Sequence, residues 1–114
     1  MPIQLNSVGD LQTYLTGIIN RASHHAPEIE EVILSLVGAV VLFKDTETPL
    51  EARSWRGSLA NVLWVTHNGQ RYAFTYNHDS GQIDIKRGST RGIVVGSFDN
   101  QTPIGQVINI FRHL

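Results

Sequence analysis

The dipeptide Asn68-Gly69 constrains the fold of this chain more than any other sequence feature. It separates two runs in which apolar and polar residues alternate. Asparagine followed by glycine is the strongest short hairpin signal, because both central positions of a type I′ turn need positive φ. A two-residue turn at this point pairs Val65 with Tyr72. The sequence therefore predicts an antiparallel hairpin with a defined register.

The register of this hairpin assigns each side chain to one of the two faces of a sheet. One face carries apolar and aromatic side chains, namely Leu63, Val65, Tyr72, Phe74 and Tyr76. The opposite face carries Val62, Trp64, Thr66, Arg71, Ala73 and Thr75. Hydrophobicity makes the first face the predicted core.

Further strands follow the hairpin. A four-residue loop, His78–Gly81, places Ile83 beside Tyr76, whereas a three-residue loop turns the next strand's charges into the core. Because a one-residue slip inverts every side chain, burial favours the four-residue loop. The turn around Gly88–Gly92 leaves two registers open for the strand at residues 93–98.

Helical patterns precede the sheet. Ser7 is the expected N-cap of a first helix, with Asp10 as its reciprocal partner, and this helix is predicted to end near Ala22–Ser23. Pro27 suits the first position of a second helix, and Gly38 is its expected left-handed stop.

A last helix is predicted to follow the sheet. Thr102-Pro103 opens it, and its apolar stripe consists of Ile104, Val107, Ile108, Phe111 and Leu114. With 114 residues the chain fits one domain, residues 1–114. The predicted fold class is α+β: two N-terminal helices, an antiparallel meander of four to six strands, and a C-terminal helix packed on one sheet face.

Residues 39–56 allow two interpretations. The β-branched and aromatic content of residues 39–44 after a glycine favours a strand, and continuation of the helix is the alternative. In the first interpretation Asp45–Pro49 is a turn and Leu50–Arg56 a second, more exposed strand. In the other, a capping box at Thr48–Glu51 opens one helical turn.

Composition limits the class of protein. The chain has no cysteine, which excludes disulfides and thiolate metal sites. No signal peptide is visible, and the longest apolar run, Val37–Phe43, is too short to cross a bilayer. The histidines lack the spacing of a metal site. We therefore expect a cytoplasmic protein without membrane attachment, metal or other cofactor.

Charge is unevenly distributed along the chain. Residues 1–51 carry seven acids and two bases, a balance of −5, and residues 52–114 carry seven bases and three acids, a balance of +4. Such asymmetry can attract an anionic partner or favour association of two copies. Nucleic-acid binding is not favoured, because the formal net charge is −1 and the aromatic residues of the second hairpin strand face inward.

The outer sheet face offers the first candidate functional surface, hereafter the Trp64 surface: Trp64, Arg71 and Lys86. The hairpin register places Trp64 diagonal to Arg71, and Lys86 should lie beside Ala73. Tryptophan and arginine are enriched in binding hot spots. No diagnostic catalytic motif is present, so the sequence favours an interaction protein that forms a homodimer through this surface over an enzyme.

The alternative is a small enzyme or a ligand pocket between helix and sheet, with Tyr76, His78 and Arg91 as candidate ligand-binding residues. The loop Gly88–Gly92 adds backbone N–H groups that can hold an anion next to Arg91.

Several segments from Asn61 to the C-terminus also resemble a known family. They are Asn61-Val-Leu-Trp64, Tyr72-Ala-Phe-Thr-Tyr-Asn-His78, Ser89-Thr-Arg-Gly92 and Phe98-Asp-Asn-Gln-Thr-Pro103. These segments resemble proteins encoded on integron gene cassettes. The resemblance implies a small bacterial α+β protein carried on a mobile genetic element and often oligomeric. It implies no activity and no functional residue.

Overall fold

The computed structural model of the chain describes the backbone of residues 2–55 and 58–114, and the side chains of residues 4–53 and 62–114. Within these residues it contains three helices and six strands. In chain order they are β1 (Pro2–Leu5), α1 (Val8–His25), α2 (Val32–Phe43), β2 (Leu50–Trp55), β3 (Ser58–His67), β4 (Gln70–Asn77), β5 (Gln82–Arg87), β6 (Val94–Phe98) and α3 (Ile104–Arg112).

The six strands form one antiparallel meander in which each strand pairs with the next along the chain. The helices pack on the face that carries Leu63 and Phe74, hereafter the covered face. The opposite face, which carries the Trp64 surface, is hereafter the open face. This arrangement confirms the predicted α+β fold class.

The predicted hairpin register is confirmed. Val65 pairs with Tyr72, and the turn residues Asn68 and Gly69 have φ values of 51° and 76°. The Asp45 carboxylate braces the turn, accepting hydrogen bonds from the backbone N–H groups of Asn68 at 2.7 Å and Gly69 at 2.8 Å. The turn is therefore stabilised both by residues that accept positive φ and by the Asp45 carboxylate, which follows the end of α2.

The four-residue loop at His78–Gly81 is also confirmed, since Tyr76 pairs with Ile83. For the last strand the structure selects a register in which Ile83 pairs with Phe98, and a bulge shifts the pairing before Lys86 reaches Val94. Because the bulge adds a residue to one strand, Phe98 can pair with Ile83 at one end of β6 while a short turn joins β5 to the other end.

The core lies between the helices and the covered face. Phe111 of α3 is its centre, with ring centroids 5.7 Å from Phe43, 5.9 Å from Phe74 and 6.3 Å from Phe98. Phe111 is 2% exposed and Ile85 is fully buried. One aromatic side chain therefore connects α2 and α3 with strands β4 and β6 of the sheet.

The prediction of a strand at residues 39–44 is wrong. α2 continues to Phe43, and Gly38 lies inside the helix rather than at a left-handed stop. Ala39 and Val40 extend the buried side of the helix that begins with Ile33 and Leu36. The apolar run satisfies either periodicity, and packing against α3 and the sheet selects the helix.

The second helix also begins later than predicted, at Val32 instead of Pro27. Residues 27–31 form turns, and the cap comes from a distant residue. The Asn100 side-chain oxygen accepts hydrogen bonds from the N–H groups of Glu31 at 2.9 Å and Val32 at 3.0 Å. The Asn100 amide also donates to the Pro27 carbonyl at 2.8 Å. A side chain about 70 positions away therefore defines where α2 begins.

The N-terminal part departs from prediction in two further ways. The sequence did not predict β1, and α1 continues to His25 beyond the predicted end at Ala22–Ser23. Ser7 does cap α1, since its hydroxyl accepts from the N–H of Asp10 at 3.0 Å. The Asp10 carboxylate accepts from Asn6 rather than from Ser7 itself.

Of the two interpretations for residues 48–56, the strand is confirmed as Leu50–Trp55, and the capping box is wrong. Arg56, the expected last residue of that strand, lies outside the described residues. In α3, Val107 and Phe111 are buried as predicted, but Ile104 is 67% exposed and does not belong to the buried stripe. None of the helices in the described ranges has the length and apolarity needed to span a bilayer.

Candidate functional site

A cavity of about 270 Å³ lies between α1, α2 and the covered face. Its walls are mostly apolar side chains: Ile18 and Ala22 from α1; Ile33, Leu36, Val37 and Val40 from α2; and Leu63, Phe74 and Ile83 from the sheet. Concave and largely apolar pockets are the usual setting for small-molecule sites.

Polar side chains join the cavity lining from two directions. Arg21 and His25 come from successive turns of α1, Tyr76 comes from the end of β4, and His78 directly follows that strand. Among the described lining residues none is an aspartate or a glutamate. The nitrogen-bearing groups therefore give the cavity a basic character beside its apolar walls.

Tyr14 also lines the cavity and is 3% exposed. Burial raises the pKa of the Tyr14 phenol far above its ordinary value, and the nearby Arg21 charge offsets part of this rise. The phenol therefore stays protonated across the physiological pH range.

Tyr76 and His78 form the clearest polar pair at this site. Their rings meet edge to face with centroids 4.8 Å apart. The Tyr76 hydroxyl donates a hydrogen bond to the carboxylate of Glu28, in the turn before α2. This bond lowers the pKa of Glu28 and raises that of Tyr76. The contact ties the end of β4 to the turn that leads into α2.

Arg91 does not join Tyr76 and His78. His78 follows β4 at the end where Asn77 pairs with Gln82, whereas Arg91 lies in the loop after the opposite end of β5. A six-residue strand separates the two positions by roughly 20 Å.

The loop around Arg91 also uses much of its own hydrogen-bonding capacity. The Arg91 N–H donates to the Ser89 hydroxyl at 3.2 Å, and the Gly92 N–H donates to the Ser89 carbonyl at 3.0 Å. A Cβ at Gly92 would lie 1.8 Å from the Arg87 carbonyl oxygen, so the turn requires glycine there. The backbone N–H groups of Arg91 and Gly92 therefore already donate hydrogen bonds within the turn.

The Trp64 surface has the predicted geometry in part. The Arg71 guanidinium lies 5.3 Å from the centroid of the Trp64 ring, and Arg53 of β2 lies 5.7 Å from it. Arg71 also forms an ion pair with Glu51 at 3.4 Å. Trp64 is half-buried between these cations.

Lys86 pairs with Ala73 as predicted, but its ammonium donates to the Thr90 carbonyl at 3.2 Å. Beside it, the buried Asp84 carboxylate accepts hydrogen bonds from Ser97 at 2.7 Å and Asn77 at 3.1 Å. The polar groups of the open face therefore find partners within the chain.

No group of three or more histidine or acidic side chains with the arrangement of a metal site occurs within the part of the chain that the structure describes. The sequence interpretation anticipated Trp64 with Arg71, and Tyr76 with His78. It missed Arg21, His25 and Arg53, because their positions depend on how α1 and β2 pack against the hairpin.

The fold and the site define a small α+β protein with a meander sheet, a three-helix cover and a largely apolar cavity between helices and sheet. The family model described as integron cassette protein VCH_CASS1 chain matches residues 11–108, so the chain belongs to this family of integron cassette proteins. A search of curated proteins found no match.

Proposed function

We propose that this protein binds a small amphipathic molecule in the cavity between α1, α2 and the sheet. The observation that carries the proposal is the cavity itself, about 270 Å³ in volume and lined mainly by apolar side chains. An apolar cavity of about 150 Å³ holds benzene, so this one suits a molecule with roughly ten carbon atoms.

The polar end of the ligand is expected to be anionic. Arg21, His25 and His78 are cavity-lining residues with basic nitrogens, and no carboxylate is found among the described lining residues. Glu28 lies near, but its carboxylate already accepts the hydrogen bond from Tyr76. A carboxylate on an apolar body of about ten carbons matches this distribution of charge.

Decanoate and decanol are suitable probes because they share an apolar chain and differ in the charge of the polar end. Nuclear magnetic resonance titration of the isotope-labelled protein measures both affinities. We expect both probes to shift the signals of residues in α1, α2 and β4, and decanoate to bind more tightly. Arg21→Gln should weaken decanoate binding more than decanol binding.

A matched pair of variants tests the location. Ala22→Leu adds volume to a residue that lines the cavity, and Asn20→Leu adds the same side chain at an exposed position of the same helix. We expect Ala22→Leu to abolish binding and Asn20→Leu to retain it. The proposal fails if the wild-type protein binds neither probe, or if Ala22→Leu binds as well as the wild type.

Contact with a partner through the Trp64 surface is a second candidate function. It is favoured by the two guanidinium groups 5.3 Å and 5.7 Å from the Trp64 ring centroid, because tryptophan and arginine are enriched in binding hot spots. Light scattering on Trp64→Glu tests self-association at this surface. A dimer that becomes monomeric on this substitution supports the candidate, and an unchanged mass removes it.

A further inference from the structure

The rim of the cavity is the end at which its lining side chains are exposed. His25 and His78 line the cavity there and are exposed, whereas Val40 lines its interior and is only 1% exposed. Because a charge away from water needs hydrogen-bond partners, an amphipathic ligand keeps its charged end at the rim and extends its apolar chain toward Val40. The polar groups at the rim therefore decide how an anionic ligand is held.

The chain places a carboxylate of its own at this rim. The hydroxyl of Tyr76, which lines the cavity beside His78, donates a hydrogen bond to the Glu28 carboxylate. The loop between β4 and β5 adjoins the same carboxylate, because a Cβ placed on Gly81 would lie 3.1 Å from one of its oxygens. Glu28 therefore occupies a hydrogen-bond donor close to the position expected for the carboxylate of a ligand.

We infer that the Tyr76 hydroxyl binds the carboxylate of the ligand and that Glu28 is a built-in competitor, which the ligand displaces when it binds. This inference rests on the proposed function. A phenol donates a single hydrogen, so Tyr76 cannot serve both carboxylates at once, and two adjacent carboxylates repel each other. An alcohol can instead donate its own hydroxyl to Glu28 and leave the existing bond in place. Glu28 therefore weakens the binding of an anionic ligand more than that of an uncharged one.

The displacement of Glu28 requires only a side-chain movement. Glu28 is exposed, so its carboxylate can turn into water. Its backbone is held separately, because the Glu28 carbonyl accepts a hydrogen bond from the Asn100 N–H at 2.8 Å and the Pro27 carbonyl accepts one from the Asn100 amide at 2.8 Å. Ile29, the next residue along the chain, is buried and lines the cavity. The turn therefore keeps its place in the cavity wall while the carboxylate leaves Tyr76.

Two substitutions at the same hydrogen bond test the inference, because they should have opposite effects. Glu28→Gln removes the competing charge and keeps the size of the side chain, so decanoate should bind about threefold more tightly than to the wild type. Tyr76→Phe removes the donor and should weaken decanoate binding about tenfold, the usual effect of losing a hydrogen bond to a charged group. A purely structural contact predicts the same direction for both variants, because each removes the same charged hydrogen bond.

Decanol and a third variant are the controls. The affinity for decanol should stay within about twofold of the wild-type value in Glu28→Gln and in Tyr76→Phe, which also shows that both variants retain the folded cavity. Glu31→Gln removes one carboxylate from the same turn, and Glu31 is exposed and is not among the described lining residues. Its affinity for decanoate should equal that of the wild type within about twofold.

The carboxyl carbon signal of Glu28 in carbon-detected nuclear magnetic resonance reports the displacement itself. In the wild type, decanoate should move this signal toward its position in Tyr76→Phe, where the carboxylate has lost its donor, and decanol should leave it in place. A Glu28 signal that does not move at saturation with decanoate overturns the inference, and so does decanoate binding that is unchanged or weaker in Glu28→Gln. Either result leaves the cavity proposal intact, whereas a wild-type protein that binds neither probe overturns both.

Discussion

On the covered face of the sheet, side chains from α1, α2 and β4 surround a cavity, whereas on the open face Trp64, Asp84 and Lys86 contact their own neighbours. Large side chains occur on both faces. On the covered face they leave space that the chain does not fill. On the open face Trp64 lies between two arginines, and Asp84 is buried among hydrogen-bond donors. The unfilled space described here therefore lies under the helices, where we propose the ligand site.

Of the substitutions on either face, Phe111→Ala in the core of the covered face should cause the largest loss of stability. Phe111→Ala removes the ring that joins α3 to the covered face, and we expect a loss of about 3–5 kcal/mol in the free energy of unfolding. Urea denaturation measures it. Asn109→Ala, exposed on the same helix, is the control and should change stability by less than about 0.5 kcal/mol. A loss below about 1 kcal/mol for Phe111→Ala would contradict its central position in the core.

An intermediate effect is expected at Asn100, which holds the start of α2 over the covered face. Asn100→Ala leaves the N–H groups of Glu31 and Val32 without this acceptor, at an expected cost of about 1–2 kcal/mol. Hydrogen exchange should accelerate at the first turn of α2 more than in β4. If exchange rises equally throughout the protein, Asn100 acts on global stability rather than on this helix start.

A smaller effect is expected on the open face at Arg71. Arg71→Ala removes one cation from Trp64 and the ion pair with Glu51, and because Arg71 is 44% exposed we expect a loss of only about 0.5–1 kcal/mol. Urea denaturation of Arg71→Ala and of Arg53→Ala measures how much each of the two cations contributes to the free energy of unfolding. A loss above about 2 kcal/mol would mean that the open face stabilises the fold as strongly as the core does.

The smallest effect, confined to acid, is expected at Asp45, which connects the end of α2 to the hairpin shared by both faces. Hydrogen bonds from the Gly69 and Asn68 amides lower the pKa of Asp45. Its charged form therefore stabilises the fold above the ordinary aspartate pKa of about 3.9, and this contribution is lost as pH falls through the lower, folded-state value.

Thermal denaturation from neutral to strongly acidic pH tests this expectation. The difference in melting temperature between the wild type and Asp45→Asn should be constant near neutrality and should shrink below about pH 4. A difference that stays constant into strong acid would show that the carboxylate charge is not responsible.

Local chemistry was sufficient to predict the hairpin. The turn at Asn68-Gly69 needs positive φ at both positions, and this fixed the pairing of β3 with β4 and the position of Trp64 beside Arg71. Burial of Ile83 then selected the length of the next loop. Each step depended on residues close together in the sequence, so each could be made without knowledge of the helices.

The helix α2 could not be predicted in the same way. Residues 39–44 have β-branched side chains that suit a strand, and packing against Phe111 makes them helical instead. The start of the helix depends on Asn100, far along the chain. The cavity was inaccessible to sequence reasoning for the same reason, because its volume is set by how α1 and α2 lie over the sheet.

We propose above all that the cavity of the covered face receives a small amphipathic ligand. Isotope-filtered nuclear Overhauser measurements on the protein with decanoate test this proposal, because they locate the ligand chain against individual methyl groups. We predict contacts from the decanoate methylene groups to the methyl groups of Val40 and Ile83, and none to Val62 on the open face. Contacts confined to Val62, or to Leu34 and Leu42 on the outer side of α2, would contradict the claim.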